Sequence, residues 1–74
     1  LDEQHAIIEV AVPEDWQGRS IGELDIRRKY GVNILGVKRN GNTDVNISPE
    51  TVLDADMTLL VLGENQELKK HFRL

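Results

Sequence analysis

The sequence predicts a small α+β domain: a mostly antiparallel sheet with helices on one face, in the order β-α-β-β-β-α, built to dimerise. Three observations predict it. Runs of strand length with alternating or continuous apolar residues recur at 5–14, 32–39, 43–47 and 57–63. A capping box opens one helical stretch between the first two runs, and an Asn-Gly pair joins the second run to the third as a hairpin. Three of the four runs carry apolar residues on both faces, more than helices confined to one side of a sheet can cover.

The first strand is HAIIEVAVPE (5–14). Ala6, Ile8, Val10 and Val12 share one face, and Ile7, Glu9 and Ala11 share the other. Pro13 ends it, because proline cannot donate to a ladder. The following DWQGR reads as a loop, with Trp16 packing over the stretch before the helix. Ser20 and Glu23 have the spacing of a capping box, so a helix starts here. Ile21 and Leu24 point inward, Arg28 or Tyr30 marks the far end, and Gly31 stops it. Arg27, Arg28 and Lys29 fall in the last turn, where cations suit the helix dipole and face solvent.

VNILGVKR (32–39) is the second strand. Strict alternation puts Leu35, Val37 and Arg39 on one face, and Val32, Ile34, Gly36 and Lys38 on the other. Asn40-Gly41 predicts a type I′ turn. The third strand is TDVNI (43–47), with Thr43, Val45 and Ile47 on one face. SPETVLDAD (48–56) is a connection of at most one helical turn, with Val52 and Leu53 plugging the core and Asp54 and Asp56 free to cap turns. MTLLVLG (57–63) is apolar on both faces, as in a central strand. Asn65 can cap a last helix, QELKKHFRL, whose Leu68 and Phe72 lie on one face.

With 74 residues the chain forms one domain, 1–74, whose core alone is marginal. Its first residue is Leu1 rather than Met, so it reads as part of a longer protein. There is no cysteine, and His5 and His71 lie at opposite ends without metal-ligand spacing, so no metal site is expected. A net charge of −4 and an aromatic content of 4% argue against DNA or RNA as a partner. They leave room for a small anionic ligand at a local cation. No run approaches a membrane span, no dinucleotide or P-loop glycine motif is present, and no nucleophile–base pair can be argued. The chain is therefore expected to be neither an enzyme nor a cofactor carrier. The second apolar face predicts a homodimer with twofold symmetry.

AVPEDWQGRSIGELDIRRKYGVNILGVKRNG, followed by ISPETVLDADMTLLVLG, resembles the C-terminal regulatory lobe of RCK proteins, the TrkA-C domain. No single motif is specific, but their order and spacing together are, over nearly the whole chain. Within that family the sequence is most similar to the cytosolic gating subunits of Ktr potassium uptake systems. The resemblance implies a dimer whose lobes hold cyclic di-AMP in the cleft between them. It also implies two further partners, the rest of an RCK subunit and a membrane potassium channel or transporter subunit, and a place at the inner face of the cell membrane.

The resemblance assigns ligand-binding roles to Ile34, Leu35 and Arg39, and with them Asn46 and Pro49. Cyclic di-AMP is itself twofold symmetric, so one arginine acts twice, once on each phosphate, through its bidentate fork. Ile34 and Leu35 would wall the adenines, and Asn46 would fix a base edge or ribose. The segment NGNTDVNISP departs from the family in having Ile47 and Ser48 between Asn46 and Pro49. Two other classes stay open from the residues alone. One is a dimerisation lobe without a ligand. The other is the same sensory lobe attached to a cation/proton antiporter or a transcription regulator.

Overall fold

A four-stranded antiparallel sheet carries the domain, and the computed structural model describes all of residues 1–74. Its strands are β1 (His5–Ala11), β3 (Val32–Arg39), β4 (Asn42–Asp44) and β6 (Thr58–Glu64), in the spatial order β1-β6-β3-β4. The last apolar run is thus the central strand, as its two-sided pattern predicts. Two short strands, β2 (Arg19–Ser20) and β5 (Val52–Leu53), form a separate ribbon. The helices are α1 (Ile21–Leu24), α2 (Ile26–Tyr30) and α3 (Asn65–His71).

The core lies on one face of the sheet. Val10 stands opposite Leu59, Ile8 opposite Val61, and Val37 also opposite Leu59. Leu59 and Val61 are fully buried, and they share one core with Leu24, Ile26 and Leu68 of the helices and Phe72 just beyond α3. Trp16, expected in a loop, sits instead in a single turn of 3-10 helix, Glu14–Trp16, and is 2% exposed. Its ring centroid lies 4.9 Å from that of Tyr30 and 5.5 Å from that of Phe72.

The expected single helix is two. Asp25 breaks it with a left-handed backbone, φ 51° and ψ 50°, and its carboxylate pairs with Arg28. The reason is packing. Leu24 and Ile26 are both buried, yet residues two apart on one continuous helix face different ways. The reversal at Asp25 turns the second helix so that both point inward. Gly31 ends α2 in the left-handed region, where a stop was expected.

The capping box forms. The Ser20 hydroxyl accepts from the Glu23 amide at 3.0 Å, and Glu23 Oε1 accepts from the Ser20 amide at 3.4 Å. Ser20→Ala is expected to cost about 1 kcal/mol. Urea denaturation reads it directly, and an unchanged midpoint would mean that the box adds nothing in solution.

The connection after the hairpin also differs from expectation. Asn40 and Gly41 both have positive φ, as a type I′ turn requires, but β4 stops at Asp44 rather than at 47. Asp44 Oδ1 accepts from the Asn46 amide at 2.8 Å, and this local turn takes the chain out of the ladder. Val45 is consequently 70% exposed, while Ile47 packs on the core. The connection is stitched to α1: the Gly22 amide donates to the Pro49 carbonyl at 2.8 Å, and the Ile21 amide to the Thr51 carbonyl at 2.9 Å. Of the two expected plugs only Leu53 is buried. Val52, next to it in β5, alternates outward and is 44% exposed.

Asn65 does not cap α3. Glu64 holds the cap position, and the Asn65 side chain donates to the Glu3 carbonyl at 2.8 Å, tying the chain's start to the helix.

Candidate functional site

β3 is a strand of two halves. In its second half Val37 and Lys38 are paired on both sides, with β6 and with β4, and Arg39 with β4 alone. Its first half pairs only with β6, so its other edge keeps unpaired backbone groups, which a partner or a ligand can use. In that half, on the side paired with β6, the strand carries a bulge: Ile34 stands opposite Val61 and Gly36 opposite Leu60, leaving Leu35 as the extra residue.

The bulge corrects the face assignment. Val37, 7% exposed, and Arg39 do share one face, but it is the core face, and Leu35 does not belong to it. Val32 and Ile34, opposite Gly63 and Val61, are on the core face as well. The outer face of β3 is then Asn33, Gly36 and Lys38, with little apolar surface. The second apolar face survives, but on other strands: Ile7 and Ala11 of β1, and Leu60 and Leu62 of β6. Ile7, opposite Leu62, is 48% exposed. On the same face Lys38 Nζ reaches Glu9 Oε1 at 3.1 Å, bridging β3 to β1 across β6.

The five predicted site residues divide between three places. Ile34 and Leu35 are half-buried at the bulge. The chain beyond β4 returns beside them, because a Cβ on Gly36 would lie 2.9 Å from the Asp44 carbonyl oxygen and 3.3 Å from Val45 Cγ1. Only glycine allows that approach, and Asn46 follows Val45 in the chain, exposed. Pro49 is further along, exposed, with its Cβ 3.0 Å from where a Cβ on Gly22 would lie. Arg39 closes the far end of β3. Its Nη2 donates to Asp54 Oδ2 at 2.9 Å, and its Nε lies 3.2 Å from Asp56 Oδ2.

Asp54 and Asp56, expected only as turn caps, are instead the partners of Arg39. No motif announces them: they are 15 and 17 positions from Arg39, and the fold alone brings them to it. The arginine and both carboxylates are partly exposed, and together they carry a net negative charge.

Elsewhere, a surface groove of about 510 Å³ runs between the end of β1 and the end of α3, past Glu14, His71, Phe72 and Arg73. It contains none of the five residues, and its rim carries both signs of charge. No three His, Asp or Glu side chains converge as a metal-binding group. No helix is long and apolar enough to cross a membrane.

Comparison with known proteins gives a consistent picture. The TrkA-C domain family model matches residues 6–74. The chain is 30% identical over 70 residues to Ktr system potassium uptake protein C of Bacillus subtilis (strain 168), a match covering 95% of this chain and 32% of that protein. It is 27% identical over 70 residues to Ktr system potassium uptake protein A of the same organism, with the same coverage. The chain thus spans about a third of the length of the curated relatives it matches. Among solved structures, the RCK C domain of the potassium transport protein KtrA, in complex with cyclic di-AMP, matches with a TM-score of 0.80 and 33% identity. That match covers 89% of this chain and 78% of the other.

Proposed function

The chain belongs to the TrkA-C domain family, and from that premise we propose that it is the regulatory lobe of a gating subunit in a potassium transport system. It pairs with a second copy of itself and senses cyclic di-AMP at the interface. The observation that carries this reading is β3, a single strand that holds Ile34 and Leu35 at a bulge in its half-open first half and ends in Arg39. It is supported by the 33% identity to a domain solved with that nucleotide.

The chemistry is consistent. An unpaired edge offers backbone donors and acceptors, half-buried aliphatic side chains offer adenine walls, and exposed Asn46, in the connection after β4, offers a side-chain amide. Arg39 offers the anion-binding fork, doubled by the symmetry of the dimer. The lobe works by binding, with no reacting group at the site. The gating subunit's remaining length and its membrane partner are the parts on which the ligand's effect would be read. Calorimetry with cyclic di-AMP tests the reading: one nucleotide per two chains is expected, and absence of binding would leave a lobe that only dimerises.

The dimer has its own test. Ile7 is half-exposed, so Ile7→Asp should leave the fold of one chain nearly untouched. In a dimer closed over the Ile7, Leu60 and Leu62 face, the same carboxylate is buried without a partner. Sedimentation at micromolar concentration is expected to show the parent as a dimer and Ile7→Asp as largely monomeric. A dimer unaffected by this change would place the interface elsewhere, with the half-open edge of β3 the next place to substitute.

A further inference from the structure

Resting on the reading that Arg39 serves the phosphates, we propose that Asp54 and Asp56 are built-in competitors for its guanidinium. The anionic ligand then enters by displacing two carboxylates rather than by meeting a free cation.

The geometry carries this. A guanidinium presents one fork on its side, through Nε and one Nη, and one at its tip, through the two Nη groups. In Arg39 both groups of the side fork are engaged: Nη2 donates to Asp54 at 2.9 Å, and Nε lies 3.2 Å from Asp56 Oδ2 in an ion pair without hydrogen-bond alignment. A phosphate seeking two parallel bonds on that fork must evict both carboxylates. The competitors are also held in place. The Asp54 carbonyl accepts from the Met57 amide at 3.1 Å, closing a turn directly after fully buried Leu53. Asp54 is therefore fixed by the backbone between β5 and β6.

Charge points the same way. One cation between two anions leaves a net negative site, which opposes a dianionic nucleotide until the arginine is released. The side chains are between 44% and 65% exposed, so each pair is weak and opens readily. The device thus sets a threshold for the ligand without closing the site.

Two consequences follow. Removing a competitor should tighten binding. Binding to the parent exchanges ion pairs for ion pairs, so its salt dependence should be shallow, whereas binding to a variant without competitors forms new pairs and should weaken steeply with salt.

The experiment titrates cyclic di-AMP into the parent, Asp54→Asn, Asp56→Asn and the double variant at low and high salt, with thermal unfolding of each as a control on folding. Each single variant is expected to bind about twofold to tenfold more tightly, and the double variant about tenfold or more, because the symmetric site loses each pair twice. The double variant should also show the steeper salt dependence. If the parent binds and the folded variants bind equally or more weakly, the proposal is overturned. The carboxylates would then merely orient the arginine, and the nucleotide reading would stand. If neither the parent nor any variant binds, the nucleotide reading fails and this proposal falls with it.

Discussion

Trp16→Ala is expected to cost about 3–5 kcal/mol, the range for truncating a buried large aromatic side chain. At roughly 0.05–0.15 kcal/mol per residue, a domain of this size holds only about 4–11 kcal/mol in all. The change should therefore remove a large share of the stability and can unfold the domain outright. Trp16 has this leverage because of where it sits. A single 3-10 turn after β1 carries it, and its ring meets Tyr30 at the end of α2 and Phe72 just beyond α3. Tyr30 in turn meets His71 edge-on, with centroids 5.0 Å apart. One side chain thus joins three segments that are distant in sequence, and losing it leaves a cavity that none of them can fill. Circular dichroism through a urea titration is the suitable measurement, since the variant has no tryptophan to follow. Trp16→Phe keeps an aromatic face for Tyr30 and Phe72 and should recover most of the loss. A cost below about 1 kcal/mol for Trp16→Ala would show that the cluster is an ornament of the fold rather than its clasp.

That clasp shows where the sequence was legible and where it was not. Signals that act over three or four residues were readable, because both partners appear in one short window. Ser20 and Glu23 form their box, Asn40-Gly41 makes its turn, and Gly31 stops its helix. The two-sided apolar pattern of 57–63 marked a central strand, because β6 has to satisfy neighbours on both sides.

What could not be read is what tertiary packing imposes against local preference. Asp25 adopts a left-handed backbone that its residue type tolerates but does not demand, in order that Leu24 and Ile26 can both be buried. The extra residue at Leu35 likewise has no local signature, yet it shifts the alternation of β3 by one and moves Val37 and Arg39 to the core face. The second apolar face is therefore real but is carried by β1 and β6 rather than β3. The site shows the same division. Asp44 and Val45 come back beside the bulge at Ile34 and Leu35 because Gly36 lets the chain return. Arg39 and its two carboxylates meet only through pairing of the strands between them.

Arg39→Ala is expected to weaken cyclic di-AMP binding at least a hundredfold. Each charge-assisted hydrogen bond is worth about 1.5–3 kcal/mol, and a symmetric site loses one arginine from each chain. The two losses together come to about 3–6 kcal/mol, and a tenfold change needs only about 1.4 kcal/mol. The substitution also strips Asp54 and Asp56 of their counterion, so the ligand would face two bare carboxylates in each chain. Folding should be spared, because the two ion pairs given up are exposed and worth at most about 1 kcal/mol each. A thermal melt close to the parent's, alongside the lost affinity, separates a binding defect from an unfolded protein. Arg39→Lys should recover only part of the affinity, since a point charge replaces a planar fork. Calorimetry on the three proteins in the same buffer decides it. If Arg39→Ala binds as tightly as the parent, the phosphates are held elsewhere. The candidates would then be Lys38, which would have to leave Glu9, and the unpaired amides along the open edge of β3.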